Sequence, residues 1–149
     1  TEVIHRLLTQ EHTDFEGRFY TLTNARNEPK PIQSPRPPIV IGGRGEKRTL
    51  RLAARFASMW DALFAEDDGG EWRRLREVLW SHCQDVGRDP AEISCSSHLR
   101  IDADPDPAEV ASRAARMFEE GLDVVILGFS AAHDGGTVER LAGALADVN

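Results

Sequence analysis

Pro37-Pro38-Ile39-Val40-Ile41-Gly42-Gly43-Arg44-Gly45-Glu46 is the stretch that decides how this chain is read. Three apolar residues between a proline pair and a glycine-rich turn predict a short buried strand. After Glu46, residues Leu50, Ala53, Ala54 and Ala57 fall on one face of a helix. Strand, glycine turn and helix form the junction at which α/β proteins bind anions. A helix N-terminus presents unpaired N–H groups and a partial positive charge, and glycines let a phosphate approach the backbone. Arg44 adds a formal charge in the turn. Two glycines in a strand-to-helix turn also have a purely steric reading, so the turn by itself does not define a site.

Upstream, residues 29–38 hold five of the eight prolines of the 149-residue chain. Proline fixes φ and biases its predecessor to extended backbone, which predicts a stiff, helix-free lead-in. Before it, Asp14 to Tyr20 suggests a turn and a short extended piece. Val3, Ile4, Leu7 and Leu8 have helical spacing at a start that lacks methionine. Residues 1–38 are therefore expected to be the end of a helix plus an irregular lead-in.

Downstream the chain alternates. Residues 58–63 predict a second strand, and Trp72, Leu75, Val78, Leu79, Cys83 and Val86 mark a second helix face. Glu66-Asp67-Asp68-Gly69-Gly70 between them reads as an acidic loop. Asp89-Pro90-Ala91-Glu92 is a helix-start signature that makes one turn only, because residues 93–101 follow with period-2 alternation. Ile93, Cys95, Leu99 and Ile101 face one way there, and Ser94, Ser96, His98 and Arg100 the other. Asp106-Pro107-Ala108-Glu109 starts a helix carrying Val110, Ala111, Ala114, Met117 and Phe118. Val124 to Leu127 is an uninterrupted apolar strand, the pattern of a strand covered on both faces. A last helix shows Val138, Leu141, Ala142, Leu145 and Val148 at helical spacing.

Four strand–helix units in series predict an α/β domain over 39–149 with a parallel sheet. Four units make either a small open sheet or half of a (β/α)8 barrel, and a chain that begins inside a helix favours the half barrel.

The net charge of −7 argues against a nucleic-acid or acidic-membrane partner. Arg44, Lys47, Arg48, Arg51 and Arg55 read as a solvated helix face. No run approaches the ~18 apolar residues of a membrane span. Cys83 and Cys95 lie on different elements without metal-ligand spacing, so both are read as reduced and structural, in a cytoplasmic protein. There is no lysine-bearing phosphate loop, no Gly-x-Ser-x-Gly and no metal motif. No strong nucleophile stands out, and no catalytic residue is assigned.

In parallel α/β folds the working face lies at the C-terminal strand ends. That selects Gly42, Gly43, Arg44 and Gly45 as a candidate anion or cofactor turn, and Trp60, Asp61, His98 and Arg100 as candidate pocket residues. Trp60 suits core or pocket wall. The inward face of the third strand is polar, which is costly unless the interior holds a ligand or other polar groups. His98 as a satisfied core histidine with Arg100 facing a buried acid remains the alternative. His133-Asp134 reads as loop rather than as a base with its orienting acid.

A longer series now becomes informative: Phe15-Glu16-Gly17-Arg18-Phe19-Tyr20, Pro29-Lys30-Pro31-Ile32-Gln33, Pro37-Pro38-Ile39-Val40-Ile41-Gly42-Gly43, Arg48 through Ala57, Met59-Trp60-Asp61-Ala62, Val86-Gly87-Arg88-Asp89-Pro90 and Gly121-Leu122-Asp123. In this order the residues resemble the C-terminal half of the luciferase-like monooxygenase family, and most of all its actinobacterial branch that uses the deazaflavin coenzyme F420. The resemblance implies a (β/α)8 barrel of about twice this length. It implies an oxidoreductase (hydride transfer or monooxygenation) acting on a small organic substrate with F420, or alternatively FMN, at the barrel mouth. It further implies that backbone N–H groups at Gly42 and Gly43, with Arg44 and Gly45 beside them, hold the cofactor phosphate. Many relatives have glycine where Arg44 stands. The family's first four strands supply most residues near the reactive ring, so a chain with only the last four is expected to be inactive alone. It is expected either to associate with an N-terminal half or, as a non-catalytic module, to form a homodimer through its open sheet.

Overall fold

The computed structural model describes residues 1–64, 69–132 and 134–148. The first part is a helix, α1 (Glu2–Thr9), followed by two antiparallel strands, β1 (Thr13–Glu16) and β2 (Thr21–Ala25). The extended piece expected after Asp14 is thus one arm of a hairpin. Its strands are short and mostly exposed, so neither carries a readable alternation. The Pro-rich segment then runs to the sheet without helix or strand. Arg36 ties it down: its guanidinium donates to the carbonyls of Pro37 (3.0 Å) and Phe56 (2.8 Å), to Ser58 Oγ (3.1 Å) and to His5 Nδ1 (3.2 Å).

The rest is four βα units. Strands β3 (Val40–Gly42), β4 (Met59–Asp61), β5 (Ser94–Ile101) and β6 (Val124–Phe129) form one parallel sheet in sequence order. Helices α2 (Thr49–Phe56), α3 (Gly70–Asp85), α4 (Pro107–Glu119) and α5 (Gly135–Leu145) follow them in turn. The register aligns Val40, Met59 and Ser94 in one row, Ile41, Trp60 and Cys95 in the next, and Gly42, Asp61, Ser96 and Val124 in the third. His98 then pairs with Ile126, and Arg100 with Gly128.

The two faces of this sheet differ. One carries Ile41, Trp60, Cys95, Leu99 and Ile101 and packs on the helices. There Leu50, Ala53 and Ala54 of α2, Trp72, Leu75, Leu79 and Cys83 of α3, and Val110, Ala114 and Met117 of α4 complete one buried core. Trp60 and Trp72 stack across the layer, 6.5 Å between centroids and 18° between planes. The other face carries the alternate residues and, among the described residues, has no layer over it: Val40 is 56% and Ile126 36% exposed.

That open face corrects one expectation. The apolar run 124–127 predicts a strand covered on both sides, yet among the described residues only the helix side is covered and Ile126 stands exposed. An apolar run shows which side chains a strand carries and not which of its sides is covered. For the same reason the stripe expected on α5 is buried only at Leu141, while Val138 is 48% exposed.

Boundaries follow local chemistry. Residues 46–48 form a turn and not the first helical turn that the spacing predicts, with Leu50 N–H donating to Gly45 O at 3.0 Å. Asp89 accepts from Ala91 N–H (2.9 Å) to cap the single 3-10 turn Pro90–Glu92, and Asp106 accepts from Ala108 N–H (3.0 Å) to cap α4. Arg88 closes the C-terminus of α2, donating to the carbonyls of Ala54 (3.1 Å) and Ala57 (2.7 Å). Orphan carbonyls at a helix end are best satisfied by such a cation. Of the acidic loop expected at 66–70, residues 66–68 lie outside the described residues, as does His133, while Gly69 caps α3 and Gly70 begins it. Among the described residues no helix is long and apolar enough to cross a membrane.

Candidate functional site at the strand ends

At the C-terminal end of β3 the chain turns through Gly42 to Gly45. Gly43 has φ of +119°, a conformation that only glycine adopts without strain. Its N–H donates to Asp61 O (3.0 Å), and its carbonyl accepts from Trp60 Nε1 (2.9 Å). Gly43 is therefore held on both sides by β4, and its N–H is already engaged. A Cβ at Gly45 would meet Thr49 Oγ1 at 2.8 Å, so the turn stays closely packed on the start of α2.

Arg44 reaches across to α3, where its guanidinium lies 2.9 Å from Glu71 Oε2 with both side chains well exposed. Glu46 pairs similarly with Arg74 (2.9 Å). Exposed pairs of this kind contribute about 0–1 kcal/mol, so Arg44 can exchange Glu71 for a stronger anion at small cost.

Asp61, His98 and Arg100 lie on the open face. Asp61 Oδ1 accepts from Ser96 Oγ (2.9 Å), and Asp61 Oδ2 lies 3.5 Å from His98 Nε2. Ser96 is fully buried, while His98 is 55% exposed at its side chain. Glycines flank this polar group in register, Gly42 beside Asp61 and Gly128 beside Arg100. A Cβ at Gly42 would come within 3.9 Å of Asp61 Oδ2, and one at Gly128 within 3.9 Å of His98 Nδ1. A side chain at either glycine would lie in van der Waals contact with these groups, so the two glycines leave that contact unmade.

His98 and Arg100 also border a cavity of about 820 Å³ that continues past Leu63, Phe64 and Asp102 to Glu109 and Arg113 of α4. The α4 residues had no signal in the sequence. They lie beside the apolar stripe of an amphipathic helix, where charged residues are the rule. A smaller hollow of about 440 Å³ lies between the end of α1 and the Pro-rich segment. Lys30 at its edge already donates to the carbonyls of Leu7 (3.0 Å) and Gln10 (2.7 Å).

Of the residues selected from sequence, the structure brings Asp61 and His98 into contact and sets Arg100 one inward position beyond. The Gly42–Gly45 turn sits at the neighbouring strand end. Trp60 goes to the opposite face: it is fully buried in the helix layer, where its indole braces Gly43. Among the described residues no three His, Cys, Asp or Glu side chains gather as a metal site.

Comparison with known proteins bears on the family and the fold. The model of the luciferase-like monooxygenase family matches residues 1–147. Uncharacterized proteins of Mycobacterium bovis and Mycobacterium tuberculosis are 30% identical over 148 residues, which is 97% of this chain and 48% of theirs. An F420-dependent secondary alcohol dehydrogenase, solved with an F420-acetone adduct, superposes with a TM-score of 0.82 at 15% identity, over 99% of this chain and 59% of that one. The coenzyme F420 dependent tetrahydromethanopterin reductase of Methanopyrus kandleri gives a TM-score of 0.58 at 17% identity, over 93% of this chain and 37% of that one. The chain thus spans about half the length of the curated relatives it matches, and its four βα units are half of a TIM barrel of the bacterial-luciferase-like type. On its sequence and its strand order alike, the chain belongs to the luciferase-like monooxygenase family.

Proposed function

We propose that this chain is the cofactor-phosphate half of an oxidoreductase that uses a deazaflavin, coenzyme F420, with FMN as the alternative. The observation that carries the reading is the placement of the Gly42–Gly45 turn, Asp61, His98 and Arg100 along the ends of adjacent parallel strands. The residues present fit an anionic group at the turn. The start of α2 supplies a positive pole, and Arg44 supplies a cation held by an exposed pair. Because the Gly43 N–H is engaged by Asp61 O, Gly42 and Gly43 give room for close approach, and Arg44 with the backbone at Gly45 does the holding. The ring of the bound cofactor supplies the redox chemistry. Asp61, His98 and Arg100 line the side from which a small organic substrate enters.

The two solved structures named above are F420-dependent by name, which supports F420 over FMN. Titrating the protein with F420 and with FMN while following cofactor fluorescence tests the reading. Saturable F420 binding at micromolar concentration, weakened by Arg44→Ala, is expected. Absence of binding by either cofactor would contradict it. The chain alone is expected to turn over no substrate, because it holds one half of the barrel that encloses the ring.

A second reading is favoured by the exposure of Val40 and Ile126 on a sheet with two unpaired edges. Such a face associates with another sheet half, either an N-terminal half or a second copy of this chain. Light scattering on the isolated chain is expected to give a dimer, and a stable monomer would contradict that association.

A further inference from the structure

Arg100 is a cation that the rest of the chain leaves unmatched. It stands near the end of β5, beside Gly128 of β6, which sets no side chain against it. Among the described residues its guanidinium has no hydrogen-bond or ion-pair partner. Arg36 and Arg88, by contrast, donate to backbone carbonyls, and Arg44 pairs with Glu71. Arg51 also lacks a partner, but it stands exposed on α2 and outside any cavity wall. Arg100 borders the cavity of about 820 Å³, a size that suits a small organic molecule. Arg113 of α4 lies on the same wall, 4.0 Å from Glu109 of its own helix, too long for a hydrogen bond. With Arg116, three arginines there face two carboxylates, Asp102 and Glu109. The rest of the wall is mainly apolar: Leu63, Phe64 and Met117. Phe64 is fixed in it, its N–H donating to Ser97 Oγ (2.7 Å) and its ring lying 6.3 Å from that of Trp72.

We infer that this cavity takes a small organic acid, with its carboxylate on Arg100 and its apolar body against Leu63, Phe64 and Met117. The inference rests on the oxidoreductase reading above, in which substrate passes Arg100, and names the chemical class of that substrate. An unmatched guanidinium beside an apolar wall is complementary to an anion that carries an apolar body. Its planar fork meets a carboxylate through two parallel hydrogen bonds, which a neutral isostere cannot reproduce. The acids Asp102 and Glu109 on the same wall favour a single negative charge, because a doubly charged phosphate would meet like charge there. Arg100 thus acts as a specificity residue that binds substrate away from the reacting atoms.

Hexanoate and its neutral counterpart hexanamide test this on the chain itself, by NMR titration. Hexanoate is expected to shift the Arg100 and Met117 signals saturably and to bind at least about tenfold more tightly than hexanamide. Arg100→Gln is expected to remove that advantage, while Arg51→Gln leaves it intact. Equal affinities of the two probes for the wild-type chain overturn the inference without reference to any variant. So does unaltered hexanoate binding in Arg100→Gln, or a hexanoate titration to millimolar concentration that shifts neither signal. Inorganic phosphate that displaces hexanoate at comparable concentration overturns the carboxylate assignment. With F420 at saturation hexanoate is expected to bind still, and competition between the two would give the cavity to the cofactor and overturn the substrate class. Failure of the oxidoreductase reading looks different: F420 does not bind at all, which overturns the assignment as substrate, while the preference for hexanoate over hexanamide still reports on the organic-acid site.

Discussion

The two faces of the four-stranded sheet are built from the same strands, residue by residue in alternation, yet they obey different rules. On the helix face Trp60, Leu99 and Ile101 are at 4% exposure or less, and Trp60 Nε1 finds a carbonyl. On the open face the same strands present Gly42, Asp61, Ser96, His98 and Arg100. A strand interior gains nothing from this choice, since glycine adds no packing and charge costs desolvation. The difference teaches that burial is concentrated in one layer and accessible polar groups in the other, and that substitutions on the two faces should separate cleanly.

The largest effect is expected from Trp60→Ala. It removes a fully buried aromatic, its stack on Trp72 and the brace on Gly43. A loss of about 3–5 kcal/mol is expected from urea unfolding, together with disorder of the Gly42–Gly45 turn in amide exchange. Retention of stability would show that the helix face is not the seat of the fold.

A smaller effect concerns the cysteines on that face. Burial first, and the Asp123 charge second, pushes the Cys95 thiol up from 9.0 to about 11, and burial raises Cys83 as well. A thiol raised in the folded state stays neutral there while the unfolded chain ionises first. Its contribution is fully present below the unfolded value and is lost as pH rises through the folded value. Stability is therefore expected to fall between about pH 9 and 11, by an amount of order 2 kcal/mol. Cys95→Ala is expected to flatten the decline, and an unchanged slope in that variant would place its origin elsewhere.

The smallest effect on stability is expected on the open face. His98→Ala removes a half-exposed side chain and is expected to change unfolding free energy by no more than about 0.5 kcal/mol, while altering binding at the strand ends. A destabilisation comparable to Trp60→Ala would erase the distinction between the faces.

Much of this division is legible in the amino-acid sequence. The period-2 pattern in residues 93–101 separates Cys95, Leu99 and Ile101 from His98 and Arg100, and the structure keeps them on opposite faces. The helix stripes of α2 and α3 are legible because apolar spacing responds directly to one-sided burial. The hairpin of β1 and β2 is not, since four- and five-residue exposed strands carry no hydrophobic signature. The site is legible in part. Strand ends mark Asp61 and His98, but the contact between them depends on the parallel register, which brings Asp61 beside Ser96. The side to which Trp60 points follows from the same register. The contribution of Arg113 to the cavity wall depends on how α4 lies against β5, and no local pattern encodes that.

The central claim is that the open face of the sheet, at its strand ends, is a cofactor face. The most direct test is a backbone amide NMR titration of this chain with F420. The account predicts that perturbed amides cluster at Arg44, Gly45, Asp61, His98 and Arg100, with the buried positions of α3 and α4 unmoved. Perturbations centred on the helix layer or the β1–β2 hairpin, or none at saturating cofactor, would contradict it.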